Sequence, residues 1–181
     1  MAAIDSYRTL LLDELRELYD AEQHLTRALA GLVLSATDPD LVAALESHLL
    51  EADEHVARLE DIFFKLDVTP LATPCAGFRA LVDDSERHAS ARFDSAALRD
   101  ASIVGAVRQL AHYEIAAYST AVGHADALAI DEIVQDLDAT LVDHLSAERH
   151  LREIADTLAA PLAPRRDGPD ARDTHTGASP R

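Results

Sequence analysis

Four long stretches of this chain repeat their apolar residues at intervals of three and four, and that spacing constrains the fold more than any other feature. From about Asp5 to Ala36 the series is Leu11, Leu15, Leu18, Leu25, Leu29 and Val33. Between Leu41 and Leu66 it is Leu45, Leu49, Ala52, Val56, Leu59 and Phe63. A third series, from about Ala96 to Leu128, runs Ile103, Val107, Leu110, Ala117, Ala121 and Ala125. A fourth follows Asp131 with Ile133, Val134, Leu137, Leu141, Leu151, Ala155 and Leu158. On a helix turning about 100° per residue, each series is one apolar stripe with a wet face opposite it. Such stripes are buried by packing on one another, so the fold class is all-α.

The breaks between the stretches set the connectivity. Asp38 before Pro39 reads as an N-cap followed by proline at the first helical position, and Asp131 reads as the cap of the fourth helix. The segment Val68 to Pro74 is irregular, Cys75 to about Ala89 forms a shorter helix, and Ser90 to Ser95 breaks it. A connection of this length is too long for a turn between antiparallel neighbours. The expected architecture is therefore a ferritin-like four-helix bundle with a long crossover, containing a short helix, between helices 2 and 3. The two helix pairs also look like a weak internal repeat, with Glu22 preceding Glu51 by 29 residues and Glu114 preceding His144 by 30.

Charge narrows the functional classes. Sixteen Lys and Arg stand against 33 Asp and Glu, giving −17. That balance opposes phosphate-backbone binding, so no nucleic-acid partner is expected, and it favours solubility and draws in cations. No charged-then-apolar leader precedes Asp5, and no apolar run approaches the ~20 residues that cross a bilayer. A soluble, cytoplasmic protein with no membrane partner is expected. A single cysteine, Cys75, excludes an intrachain disulfide and any CxxC motif. After Pro161 the chain is rich in Pro, Gly, Asp and Arg with almost nothing apolar, which reads as a disordered tail over residues 161–181 behind a folded domain over 1–160. The tail's four arginines and three aspartates leave the folded body at about −18.

Several polar residues interrupt the apolar stripes. Glu22 sits near the centre of the first stripe and Glu114 at the middle of the third, while His144 and Glu148 occupy inward positions of the fourth between Leu141 and Leu151. On the second helix His48, Glu51 and His55 fall within one third of the circumference. Ferritin-like bundles build dinuclear sites from a lone carboxylate on each of two helices plus a carboxylate and a histidine from each of the other two. Here Glu22 and Glu114 are the lone carboxylates, and Glu51/His55 and His144/Glu148 are the pairs. Carboxylates bridge hard cations about 3.5 to 4 Å apart, and imidazole favours iron or manganese over calcium. An unpaired glutamate ion in a bundle core costs several kcal/mol, so something cationic is expected to offset it.

The helix wheel leaves the second helix open. His48 and His55 point more nearly inward than Glu51, which lies toward the rim, and Glu54 points away. Either His48 and His55 bind with Glu51 bridging, or Glu51 and His55 bind with His48 behind them, and Asp143 stands beside His144 as a further candidate. Both pairs are spaced by four where the ferritin-like pattern is Glu-x-x-His. Asp20 lies outside the apolar stripe. Tyr19 and Tyr118 lie a turn from proposed ligands, Tyr113 reads as a core or interface aromatic, His112 as a surface histidine and Cys75 as a small core residue. His24, His88, His124, His150 and His175 receive no role.

The stretches LYDAEQHLTRAL at 18–29, HLLEADEHVARLE at 48–60 and AHYEIAAYSTA at 111–121, with Cys75 between them, resemble the YciE/YciF-type ferritin-like stress proteins. The resemblance covers about residues 5–160. It implies a dimanganese- or di-iron-type bundle, dimeric, in bacterial stress responses. Glu22, Glu51 and Glu114 match acidic positions of that family, and His55 a position held there by Gln or His. The fourth helix departs from the family pattern at Asp143, His144 and Glu148, and Leu50 stands where an acidic residue is usual. The leading expectation is a dinuclear iron or manganese protein that acts on O2 or peroxide as an oxidase or peroxidase, or that sequesters iron. Its rivals are a metal-free acidic helical interaction module, with a polar core layer in place of ligands, and the cargo of a protein cage with the tail as address.

Overall fold

Residues 6–160 are described by a computed structural model. The expected disorder of residues 161–181 lies outside them. Five helices follow one another: α1 (Tyr7–Ser35), α2 (Pro39–Lys65), α3 (Ala76–Ser90), α4 (Ala96–Ala127) and α5 (Asp131–Ala159). Side-chain oxygens start three of them. Ser6 accepts from the Thr9 N–H, Asp38 from those of Asp40 and Leu41, and Ser95 from that of Leu98.

The start of α5 differs from the expectation. Ile130, not Asp131, is its N-cap, and no side chain caps it. The turn from α4 is so short, with Ala129 in the left-handed region (φ 53°), that the Ile130 carbonyl already accepts from the N–H groups of Ile133 and Val134. Asp131 therefore falls inside the first turn. There it and Glu132 face the positive end of the helix dipole.

Packing pairs α1 with α2 and α4 with α5, sets α1 against α4 and α2 against α5, and leans α3 on α1 and α4. Thr37, after α1, meets Asp100 near the start of α4, while Tyr7 meets His124 near the end of α4. Hence α1 and α4 are antiparallel. Lys65 at the end of α2 pairs with Asp136 early in α5, which makes that pair antiparallel as well. It follows that α2 and α4 run parallel, and the chain between them has to travel back along the bundle. This is the ferritin-like arrangement, and no strand occurs among the described residues.

The interior is two apolar clusters with a polar level between them. At one end Leu11, Leu15, Leu59, Phe63, Ile133 and Leu137 pack together; at the other, Leu25, Leu29, Leu45, Phe78, Ile103 and Leu151 do. Each such side chain contributes about 1.5–3 kcal/mol by leaving water. No described helix is long and apolar enough to cross a membrane.

Candidate metal centre

At the polar level every helix of the bundle turns a ligand-type side chain inward. The positions follow from the stripes: Glu22 takes the stripe position one turn after Leu18, and Glu114 the one after Leu110. His144 occupies the inward place between Leu137 and Leu151. His48 and His55, a heptad apart on α2, share the face of Leu45, Ala52 and Leu59. All five are buried, Glu22, Glu114 and His144 with no measurable exposure.

Glu22 Oε1 is the hub. It accepts a hydrogen bond from the Tyr118 hydroxyl at 2.8 Å, and His144 Nε2 lies 3.1 Å away and His55 Nδ1 3.3 Å away. The other ring nitrogen of His144 is 3.4 Å from Glu114 Oε2. The rings of His55 and His144 are 4.6 Å apart, and His48 meets His144 edge-on at 6.0 Å. On its outer side His55 Nε2 lies 3.3 Å from Asp143, which also pairs with Arg58.

Charge is unevenly distributed over this level. Burial pushes the Glu22 carboxyl up, but the imidazoles of His144 and His55 outweigh it and hold the group at about 2. Burial with the nearby Glu22 charge raises Glu114 well above the ordinary carboxyl range. Burial, with the nearby imidazoles of His144 and His55, drives His48 down to about 3, so this imidazole stays neutral with its lone pair free. Burial lowers His55, and the Glu22 and Asp143 carboxylates more than reverse that. Tyr118 is raised well above its usual value by burial and by Glu22.

Glu22 Oε2, both oxygens of Glu114 and both ring nitrogens of His48 have no hydrogen-bond partner. Buried polar groups are nearly always satisfied, so an unsatisfied set at one level calls for an explanation such as an ion. Two groups of donors are close enough to hold one: Glu22, His55 and His144, and His48, Glu114 and His144, each with ligand atoms within 4.8 Å of one another. Oxygen and imidazole donors together suit iron or manganese.

The six residues singled out from the sequence divide. Glu22, His55, Glu114 and His144 come together. Glu51 is half-buried on the rim of α2, with Ser47 3.4 Å from its carboxylate. Glu148 lies on the α4–α5 edge, where its Oε1 accepts from Arg108 at 2.8 and 3.1 Å, and His112 is 3.4 Å away. His48, left open between two roles by the wheel, belongs to the central level, while Asp143 stands outside it behind His55. Tyr118 supplies the hydroxyl that the spacing placed a turn from Glu114.

A family model described as a domain of unknown function, DUF892, matches residues 6–162. The chain belongs to the DUF892 family. This DUF892 chain is 26% identical over 142 residues to the protein YciF of Escherichia coli K12, an alignment spanning 78% of this chain and 85% of that protein. Among solved structures, YcfI from Rhodopseudomonas palustris superposes with a TM-score of 0.78 at 34% identity, covering 82% of this chain and 94% of the other. The E. coli stress protein YciF superposes at 0.82 with 24% identity, over 86% and 98% of the two chains. The YciE/YciF-type resemblance read from the motifs thus holds for the whole bundle. What the DUF892 bundle offers chemically is a buried level of two carboxylates, three imidazoles and one phenol.

Proposed function

We propose that this DUF892 chain binds two ions of iron or manganese at the central level and acts in a stress response, handling O2, peroxide or the metal itself. The observation that carries the reading is the set of orphaned ligand atoms, three carboxylate oxygens and four imidazole nitrogens, at a level between two apolar clusters. Glu22, Glu114, His48, His55 and His144 would hold the ions. Bound iron or manganese would supply redox chemistry toward O2 or peroxide. The protein's share is to fix the ligands and exclude water. Tyr118 orients Glu22 through its hydroxyl, and Asp143 with Arg58 orients His55 from outside, the role that outer partners play around metals. Glu51 stands at the rim, held by Ser47, whereas Glu148 would have to leave Arg108 to join. A part in stress follows the name given to E. coli YciF; a cytoplasmic homodimer, and iron or manganese as the resident metal, rest on the resemblance and the donor set.

The test is to produce the protein with iron or manganese supplied and to count metal atoms per chain. About two are expected, as the dinuclear pattern requires. Near zero, with Glu22→Ala and Glu114→Ala leaving the melting temperature unchanged or higher, rejects the reading. One observation favours the second reading, a metal-free polar level within an interaction module: Glu22 already has Tyr118, His144 and His55 around one oxygen, and Glu114 is shifted toward its neutral form.

A further inference from the structure

Between α2 and α5 the bundle opens into a groove of about 620 Å³, on the side of the central level away from Phe63 and Leu137. Small residues make the gap: Ala44 and Ser47 on α2 face Ala147 on α5. Asp40, Glu51 and Glu153 are among the residues that line it, and no lysine or arginine does. Its floor includes His48, which is 2% exposed and has no partner for either ring nitrogen. The same imidazole belongs to the donor group with Glu114 and His144. One side chain thus forms part of both the groove and the buried level.

Elsewhere the level is better closed. The pocket beside Cys75 and Tyr113, between α1 and α4, holds only about 10 Å³, no more than a single water needs. Toward the other end, Leu18, Leu59, Phe63, Ala121 and Leu137 pack as an apolar cluster.

We infer that the α2–α5 groove is the entry port for divalent transition-metal cations, with His48 the first buried ligand they meet and the donor that passes them to Glu114 and His144. The inference rests on the metal-binding reading above. An acidic cleft with low-dielectric walls concentrates cations and speeds their capture. An imidazole at its floor with no partner for either ring nitrogen offers an ion shedding its water a ligand before it reaches the carboxylates. Open where Ala44, Ser47 and Ala147 line it, the groove lets an ion approach without any helix moving.

Manganous ion mixed with the full-length metal-free chain, quenched with a chelator at set times and counted by mass spectrometry, tests this. Ala147→Phe and, separately, Ala44→Phe narrow the groove without removing a donor. Each is expected to slow loading by about tenfold, and Asp40→Asn with Glu153→Gln to slow it less and only at low salt, all reaching the wild-type metal content. Two phenylalanine variants provide for one failing to fold. Loading at the wild-type rate by a phenylalanine variant that melts like the wild type overturns the port. No uptake by the wild type at all instead defeats the metal-binding reading and the port with it. Plugged chains that load at full speed defeat the port alone.

Discussion

Two kinds of buried carboxylate stand close together in this bundle, and they have opposite surroundings. Asp20 and Asp100 are matched to donors. Asp20 accepts from the Cys75 N–H at 2.9 Å and holds the Arg79 guanidinium in a two-pronged pair, one prong at 2.8 Å, tying the start of α3 to α1. Asp100 accepts from the N–H groups of Thr37 and Asp38, each at 2.9 Å, and from the Thr37 hydroxyl at 2.7 Å, clamping the α1–α2 turn onto α4. Two residues from Asp20, Glu22 leaves one oxygen without a partner, and Glu114 leaves both. Burial alone therefore does not mark a site. A carboxylate whose oxygens are filled by backbone and arginine donors is a clamp; one left open among buried imidazoles is arranged for something that arrives later.

The largest effect that separates the two kinds is metal itself. With free manganese or iron at about a thousand times its dissociation constant, binding to the folded state alone stabilises it by about 4 kcal/mol, roughly 10 °C in a domain of this size. Calorimetry with and without a chelator reads it, and no shift would put the central level in the same class as the clamps. Next comes Asp100→Ala, which removes three hydrogen bonds and strands two backbone N–H groups. It is expected to cost about 3 kcal/mol in urea denaturation, equally in the metal-free and loaded protein, with metal content unchanged. A loss of metal in that variant would break the distinction.

The two kinds also differ in how readable they are from sequence. Glu22, Glu114 and His144 interrupt an apolar stripe of their own helix, so a local period exposes them. The same wheel puts His48 and His55 inward and Glu51 at the rim, as the structure has them. Helix ends fall within a residue or two of the expected ones, since caps such as Asp38 with Pro39 act locally. The clamps have no local signal. Asp20 lies off the stripe of α1 and is covered only because α3 packs there. Asp100 is buried by a turn 62 residues away in the chain. α4, packed against α1, α3 and α5, is buried over more than one stripe, which is why Ala106 and Ala111 are covered alongside Ile103 and Leu110. Glu148 occupies an inward heptad place, yet Arg108, on the neighbouring helix, draws it to the edge. Such contacts are set by which helix lies alongside, and no period within one helix carries that.

A third effect, smaller again, depends on pH. Burial raises the Asp20 carboxyl, but the Arg79 and Cys75 hydrogen bonds outweigh it and hold the group below its ordinary 3.8. A depressed carboxyl stabilises the fold above its unfolded value, and that stability is lost as pH falls through the folded one. Asp20→Asn keeps an acceptor for Cys75 and loses the charge facing the half-exposed Arg79. It is expected to cost about 1–2 kcal/mol at neutral pH, with the gap to wild type closing below about pH 4. A gap that persists unchanged to lower pH would mean that the pair's charge contributes nothing to the clamp.

The smallest expected change in stability is the sharpest test of the contrast. Glu114 is shifted toward its neutral form by burial and by the Glu22 charge. Glu114→Gln keeps the shape of the side chain, and neither oxygen had a hydrogen bond to lose. The metal-free variant should melt within about 1 kcal/mol of wild type. The same isosteric change at Asp100 turns an amide N–H2 toward donors that need an acceptor, and is expected to cost more. Metal content should order the pair the other way, falling in Glu114→Gln and holding in Asp100→Asn, because a carboxamide cannot bridge cations as a carboxylate does. Equal losses of stability in both variants, with metal content unmoved in either, would make Glu114 a clamp like the others.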